Sequence, residues 1–282
     1  MGSEMDEAAR QLRETYDNWV SRSRSWNDWA ERLEPQQKGL NQPLIEAAGI
    51  GPGLRVLDLA SGTGEPALSI AAVVGPGGRV TASDLVPEML AGARRRAAEK
   101  GLANMAFQVA DMQALPFADA AFDRVTCRLG LMYVPEPAKA LAEAWRVLAA
   151  GGRAAFLVWG RQEENDQFVV LEEVLLRELN IEPHEGPFTP TRFGEAGALE
   201  ALLKEAGFAR AEERVLRFNP RVDPATRFWR AQAALRLGER LRQLGTEAAE
   251  RLDETLAQAF ERYRDGDRIS FRTTARIGLA DK

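Results

Sequence analysis

Between Leu54 and Trp159 short apolar runs alternate with stretches of helical periodicity, and few folds accept that rhythm. Leu54–Leu59, Arg79–Ser83, Ala106–Ala110, Phe122–Arg128 and Arg153–Trp159 are too short for independent helices, and each is expected as a strand. Pro66–Val74, Pro87–Lys100 and Pro137–Leu148 read as helices, with Pro66 suited to a first-turn position. Gly51-Pro52-Gly53 and Gly75-Pro76-Gly77-Gly78 supply the turns. The pattern predicts an α/β fold: a mostly parallel sheet covered by helices on both faces.

Beyond Gly160 the rhythm changes. Gln167–Asn180 reads as one amphipathic helix, and Glu182–Phe193 carries Pro183, Pro187 and Pro190. A helix at Gly197–Ala206 and a strand at Ala209–Phe218 return to the sheet, and Pro224–Leu244 and Thr246–Tyr263 read as two further helices. Arg268–Ala280 is a seventh strand, expected at the sheet edge. Asp6–Ala48 is helical by pattern, with breaks expected near Pro35 and Pro43. The expected organisation is one structural domain. An N-terminal helical arm or lid (1–50) precedes a ligand-binding core (51–160), followed by a cap insertion (161–193) and a core helix and strand (194–219). A second helical insertion (220–266) and a C-terminal edge strand (267–282) complete it.

Composition narrows the chemistry. Acidic residues number 42 against 37 basic ones, with the basic residues dispersed, so no nucleic-acid partner is expected. One cysteine, Cys127, and one histidine, His184, form no metal-binding cluster, and no metal is expected. No apolar run approaches the roughly 18 residues that span a bilayer, so no membrane partner is expected and the location reads as cytoplasmic.

The residues around the first strand carry the functional reading. Gly62-Thr63-Gly64-Glu65-Pro66-Ala67 fits a dinucleotide fingerprint, but its glycines serve any ligand that must approach a sharp strand-to-helix turn. Asp58, before those glycines, suits a cationic amino-acid ligand and would repel a pyrophosphate. Asp84 ends the second strand 20 residues after Gly64 and can accept hydrogen bonds from ribose hydroxyls. Asp111, after the third strand and beside Met112, can accept from an adenine amino group, with Leu85 and Met89 packing on the base. Three carboxylates at successive strand ends favour S-adenosylmethionine over a nicotinamide dinucleotide.

These residues carry a resemblance. Val56–Glu65, Asp84-Leu85-Val86-Pro87-Glu88-Met89-Leu90, Asp111 through Leu115-Pro116-Phe117, and Glu143-Ala144-Trp145-Arg146-Val147-Leu148 with Gly151-Gly152 resemble the class I methyltransferases. They are most similar to the small-molecule group of the ubiquinone/menaquinone C-methyltransferases. The resemblance implies a Rossmann-like seven-stranded sheet with an N-terminal helical arm and helical cap insertions. It implies that Gly62 and Gly64, in the loop with Ala60 and Ser61, lie against the methionine part of S-adenosylmethionine. Asp84 would hold the ribose, Asp111 with Met112 the adenine, and Arg128 and Leu129 would face the sulfonium or the substrate. The sequence departs from the pattern at Ala60-Ser61, where many relatives carry Gly-Cys or Gly-Ser, and at Glu65, where a third glycine is common.

Methyl transfer from a sulfonium needs alignment and exclusion of water more than a protein nucleophile. Candidate contributors are therefore few. Tyr16-Asp17-Asn18-Trp19 resembles the Tyr-Asp-x-Trp start of the family, in which the tyrosine lies near the cofactor. Tyr16, Trp19, Trp26 and Trp29 form either an aromatic lid or a staple for the arm. His184 is a candidate general base, Arg128 a candidate partner for a ligand carboxylate, and Trp159 and Phe168 candidate walls of an acceptor pocket. The expected activity is methyl transfer to oxygen, nitrogen or carbon of a small organic acceptor by a monomer or homodimer, with S-adenosylhomocysteine as product. The alternatives are a protein that binds these nucleosides without turnover and, more remotely, an NAD-dependent oxidoreductase.

Overall fold

The computed structural model describes residues 2–181 and 189–282, and their side chains apart from those of 2–6, 8 and 34–38. Seven strands, β1 (Arg55–Leu59), β2 (Arg79–Asp84), β3 (Met105–Val109), β4 (Phe122–Arg128), β5 (Leu148–Trp159), β6 (Arg210–Phe218) and β7 (Thr273–Asp281), form one sheet in the order β3-β2-β1-β4-β5-β7-β6. Strands β1 to β5 are parallel, and β7 runs antiparallel to both β5 and β6. A dinucleotide-binding sheet has the order 3-2-1-4-5-6. The antiparallel strand between β5 and β6 departs from it.

Helices cover both faces. On one face, α2 (Ala67–Val74) and α3 (Pro87–Glu99) pack Ile70, Val74 and Leu90 against Val56, Val80 and Ala82, and α1 (Gly2–Ala47) adds Leu40 and Leu44 over Leu157, Ile277 and Leu279. On the other face, α4 (Pro137–Val147) and α6 (Ala198–Glu205) pack Leu141, Ala144, Leu199 and Leu203 against Leu57, Val125, Phe156 and Val158. The alternation of Phe156 and Val158 against Leu157 follows from the two-residue period of a strand.

A second core lies beyond the sheet. Helices α5 (Asp166–Leu179), α7 (Phe228–Leu237) and α9 (Thr246–Glu261) surround Phe228, Trp229 and Phe260, with Phe228 and Phe260 rings 4.8 Å apart edge to face. A small antiparallel ribbon of residues 221–222, 268–270 and 264–265 closes this core. Among the described residues no helix is long and apolar enough to cross a membrane.

Three elements differ from the sequence pattern. Helix α1 is continuous for 46 residues, about 70 Å, across Pro35 and Pro43, where breaks are expected. An interior proline costs about 3 kcal/mol, and burial of Leu40, Leu44, Ala47 and Ala48 at 0–7% exposure offsets it at Pro43. The stretch expected as one helix from Pro224 to Leu244 is divided: a short 3-10 turn at Pro224–Thr226 precedes α7, and Gly238 separates α7 from α8 (Glu239–Gln243).

The third difference is the C-terminal strand, expected at the sheet edge. It lies inside the sheet, and β6 is the edge. Every residue of β7 from Thr273 to Ala280 is buried, whereas β6 carries Arg210, Glu212, Glu213, Arg214 and Arg217 in a half-exposed pattern. Charged, half-exposed side chains suit an edge that must not pair further, and a strand buried along nearly its whole length suits the interior.

Candidate active site

Asp58 ends the apolar run of β1 and is fully buried. Its strand partner on β4 is Thr126, whose hydroxyl donates to Asp58 Oδ1 at 2.7 Å, while Oδ2 is buried without a partner. Burial pushes the Asp58 carboxyl up to about 7, against the Thr126 hydrogen bond and the positive charge of Arg128. Thr126 was invisible as a site residue from sequence; its one signal is a hydroxyl between Val125 and Cys127 in an apolar strand.

The loop that follows turns through left-handed backbone at Ala60 (φ +50°), Gly62 (φ +53°) and Gly64 (φ +117°). A Cβ at Gly62 would meet only open space, whereas one at Gly64 would stand 2.7 Å from Leu68 Cδ1 and 3.4 Å from the Ala93 Cα. Gly64→Ala is therefore expected to destabilise the fold by about 2 kcal/mol through backbone strain and this clash. A lower urea midpoint at unchanged m-value would show it.

Asp84 closes the loop from the next strand. Its Oδ2 accepts from the Gly62 N–H at 2.8 Å and its Oδ1 from the Val86 N–H at 2.9 Å. Burial raises its carboxyl above the usual range, and the two N–H groups oppose that rise. Asp111 accepts from the Gln113 backbone and side-chain N–H groups at 2.9 and 3.1 Å. Glu65, at the departure from the family pattern, is buried and accepts from Asn41 of α1 at 2.8 Å and from Ser69 at 2.6 Å. The departure thus ties the loop to the arm.

Arg128 Nη2 donates to the Glu65 carbonyl at 3.1 Å, and its Nε is buried without a partner. Burial pulls this guanidinium below the usual arginine range, opposed by the charges of Glu65 and Asp58. Cys127 is fully buried, and burial pushes its thiol up to about 12, so it stays protonated and apolar in character.

One cavity of about 1200 Å³ collects these groups. Ala60, Ser61, Gly62, Asp84, Leu85, Met89, Asp111, Met112 and Arg128 line it on the sheet side, and Leu129 with them. Trp159 and Phe168 also line it, their rings 5.3 Å apart edge to face. Asp58 lies beneath the loop and does not line the cavity. Across it stands α1, which contributes Trp19 and Trp26 but neither Tyr16 nor Trp29. His184 lies outside the described residues. One turn of the arm is fastened from two sides: Asn27 Nδ2 donates to the Glu88 carbonyl of α3 at 3.1 Å, and Arg242 of α8 donates to Ser25 at 3.0 Å.

Residues 56–152, which span β1 to the start of β5, match the family model described as a methyltransferase domain. Over these residues the core is similar to methyltransferases in sequence and in fold. An uncharacterised protein of Mycobacterium tuberculosis is 42% identical over 132 residues, 47% of each chain. The ubiquinone/menaquinone biosynthesis C-methyltransferase UbiE of Ectopseudomonas mendocina is 43% identical over 118 residues, 42% of this chain and 46% of that one. The chain therefore spans about half the length of the curated relatives it matches. A solved structure of a candidate methyltransferase from Bacillus halodurans superposes with a TM-score of 0.57 at 25% identity, covering 86% of this chain and 98% of that one. The likeness to these sequence relatives covers less than half of the chain, and the likeness in fold covers 86% of it.

Proposed function

We propose that the protein transfers a methyl group from S-adenosylmethionine to oxygen, nitrogen or carbon of a small organic acceptor held in the same cavity. The observation that carries this reading is the cavity itself. At about 1200 Å³ it exceeds the roughly 300–1,000 Å³ of a single-ligand pocket, and it joins the acidic strand ends to an aromatic wall on α1. When bound, the cofactor supplies a methyl group activated by its sulfonium, so the protein's tasks are alignment and exclusion of water.

The residues present fit that group. The unpartnered Oδ2 of Asp58 gives the loop above it a negative charge suited to the amino-acid end, and the open space over Gly62 leaves room for close backbone approach. Asp84, its carboxylate oriented by the Gly62 and Val86 N–H groups, accepts from the ribose hydroxyls. Asp111 and Met112 take the adenine edge, and Leu85 and Met89 its face. Arg128 holds the loop to β4, and Trp19 and Trp26 offer aromatic faces to a cation.

The buried Asp58 sets a pH dependence. Its carboxyl, with a pKa of about 7 in the free protein, is protonated below that pH. The ammonium group of a ligand's amino-acid end favours the ionised form, so binding releases a proton there. Affinity for S-adenosylhomocysteine is expected to rise between pH 6 and 7.5, by at most about tenfold per unit, and to flatten above. Calorimetry at pH 6 in two buffers of different ionisation enthalpy would register the released proton; Asp58→Asn should show neither effect.

The reading is tested by calorimetry with S-adenosylhomocysteine and NAD in parallel, followed by transfer of labelled methyl groups to a panel of acceptors. Binding of the first and not the second, with label appearing in an acceptor, supports it. Heat from NAD alone would overturn it, and tight nucleoside binding without transfer across the panel would support a binding protein instead.

A further inference from the structure

Away from the strand ends, the cavity wall built by α1, α7 and α8 carries two arginines without a carboxylate partner, and Glu14 of α1, which also lines the cavity, pairs with neither. Arg22 of α1, Arg236 of α7 and Arg240 of α8 all line it. Arg236 pairs with Glu172 of α5 at 3.1 Å, and Glu239 on the same wall pairs with Arg242. Arg22 lies 5.8 Å from the centre of the Trp19 ring, and Trp19 meets Tyr133 edge to face at 5.0 Å. Among the described residues no carboxylate pairs with Arg22 or Arg240, and neither guanidinium makes a hydrogen bond.

Half-buried Arg22 is held below the usual arginine range by burial; Tyr133 opposes this, and the like charges of Arg236 and Arg240 add to it. A desolvated cation without a counter-charge is costly to keep. Three residues that line the same cavity have a buried side-chain atom without a protein partner: Trp26 at its indole N–H, Thr273 at its hydroxyl and Arg128 at Nε. Beside them the lining is apolar, with Phe168, Leu171 and Leu175 from α5.

We propose that this wall is a subsite for the acidic group of the acceptor, so that the acceptor is an organic anion, a carboxylate or phosphate on an apolar body. Arg22 takes the acidic group, because a planar guanidinium matches either anion with two parallel hydrogen bonds. Arg236 and Arg240 add attraction without direct pairing. The apolar body lies along Trp19, Phe168 and Leu171 toward the sheet. The assignment rests on the methyltransferase reading for calling the bound anion an acceptor, but not for the binding itself.

The test uses probes of one shape and different charge: 1-naphthoate, 1-naphthyl phosphate and neutral 1-naphthamide, titrated into the full-length protein saturated with S-adenosylhomocysteine. At least one anion is expected to bind about tenfold more tightly than the amide, and whichever does so identifies the acidic group. Arg22→Gln should remove that preference while leaving the S-adenosylhomocysteine affinity unchanged. Arg240→Gln, at an exposed position, should weaken the preferred anion about threefold. Equal binding of amide and anions, binding of none of them, or a preference that survives Arg22→Gln would overturn the proposal. Should the wild-type protein fail to bind S-adenosylhomocysteine, the methyltransferase reading fails instead, and the naphthoate and naphthamide comparison without it still decides the anion subsite.

Discussion

The Asp84→Ala protein is expected to lose at least about 100-fold in affinity for S-adenosylhomocysteine, near 3 kcal/mol, from two charge-assisted hydrogen bonds to the ribose. The loss has a second source inside the protein. Asp84 is also the acceptor for the N–H groups of Gly62 and Val86, so its removal frees the loop that shapes the site. Asp84→Asn separates the two sources: one oxygen remains for a backbone N–H, while the amide nitrogen brings a donor where an acceptor is needed. Calorimetry should place Asn between wild type and Ala. Alanine binding within about threefold of wild type would sink the ribose assignment.

Arg276→Ala is expected to cost about 3–5 kcal/mol of folding stability, the range for breaking a buried ion pair from one side. Arg276 sits in the middle of β7 with its side chain 4% exposed. It donates to the Gly194 carbonyl at 2.6 Å and pairs with Glu213 of β6 at 3.3 Å and with Glu164 at 3.2 Å. Glu213, its side chain 6% exposed, already has one oxygen without a partner, so the substitution strands a carboxylate inside the fold. Arg276→Met combined with Glu213→Gln should recover part of the loss, since it removes both charges and keeps volume. Urea denaturation of the two variants beside the wild type measures this; a single substitution costing under about 1 kcal/mol would show that the cluster is solvated.

The two effects lie on different levels. Asp84 acts where the ligand meets the sheet, whereas Arg276 secures the strand that distinguishes this sheet from a dinucleotide-binding one. The second core around Phe228 and Phe260 shares this dependence, because Ile269 and Phe271 enter it directly before β7 begins.

What the sequence determined by itself is local. Strands β1 to β5 and the helices between them follow from apolar spacing within windows of about ten residues, and hydrophobic period is a near-neighbour property. The carboxylates at the ends of β1, β2 and β3 are legible for the same reason: once the strands are placed, Asp58, Asp84 and Asp111 fall at one edge of the sheet. The tertiary structure decided everything that depends on distant partners. It threaded β7 between β5 and β6, because a strand's neighbours are chosen by burial of both its faces and not by its own pattern. It carried α1 through Pro43, because packing of Leu40 and Leu44 on the sheet outweighs a local penalty. Asp58 met Thr126 across 68 residues of chain, which moved its carboxyl into the neutral range by burial. Arg22 and Arg236, 214 residues apart in sequence, became one wall of a cavity only when α1 and α7 closed over the sheet.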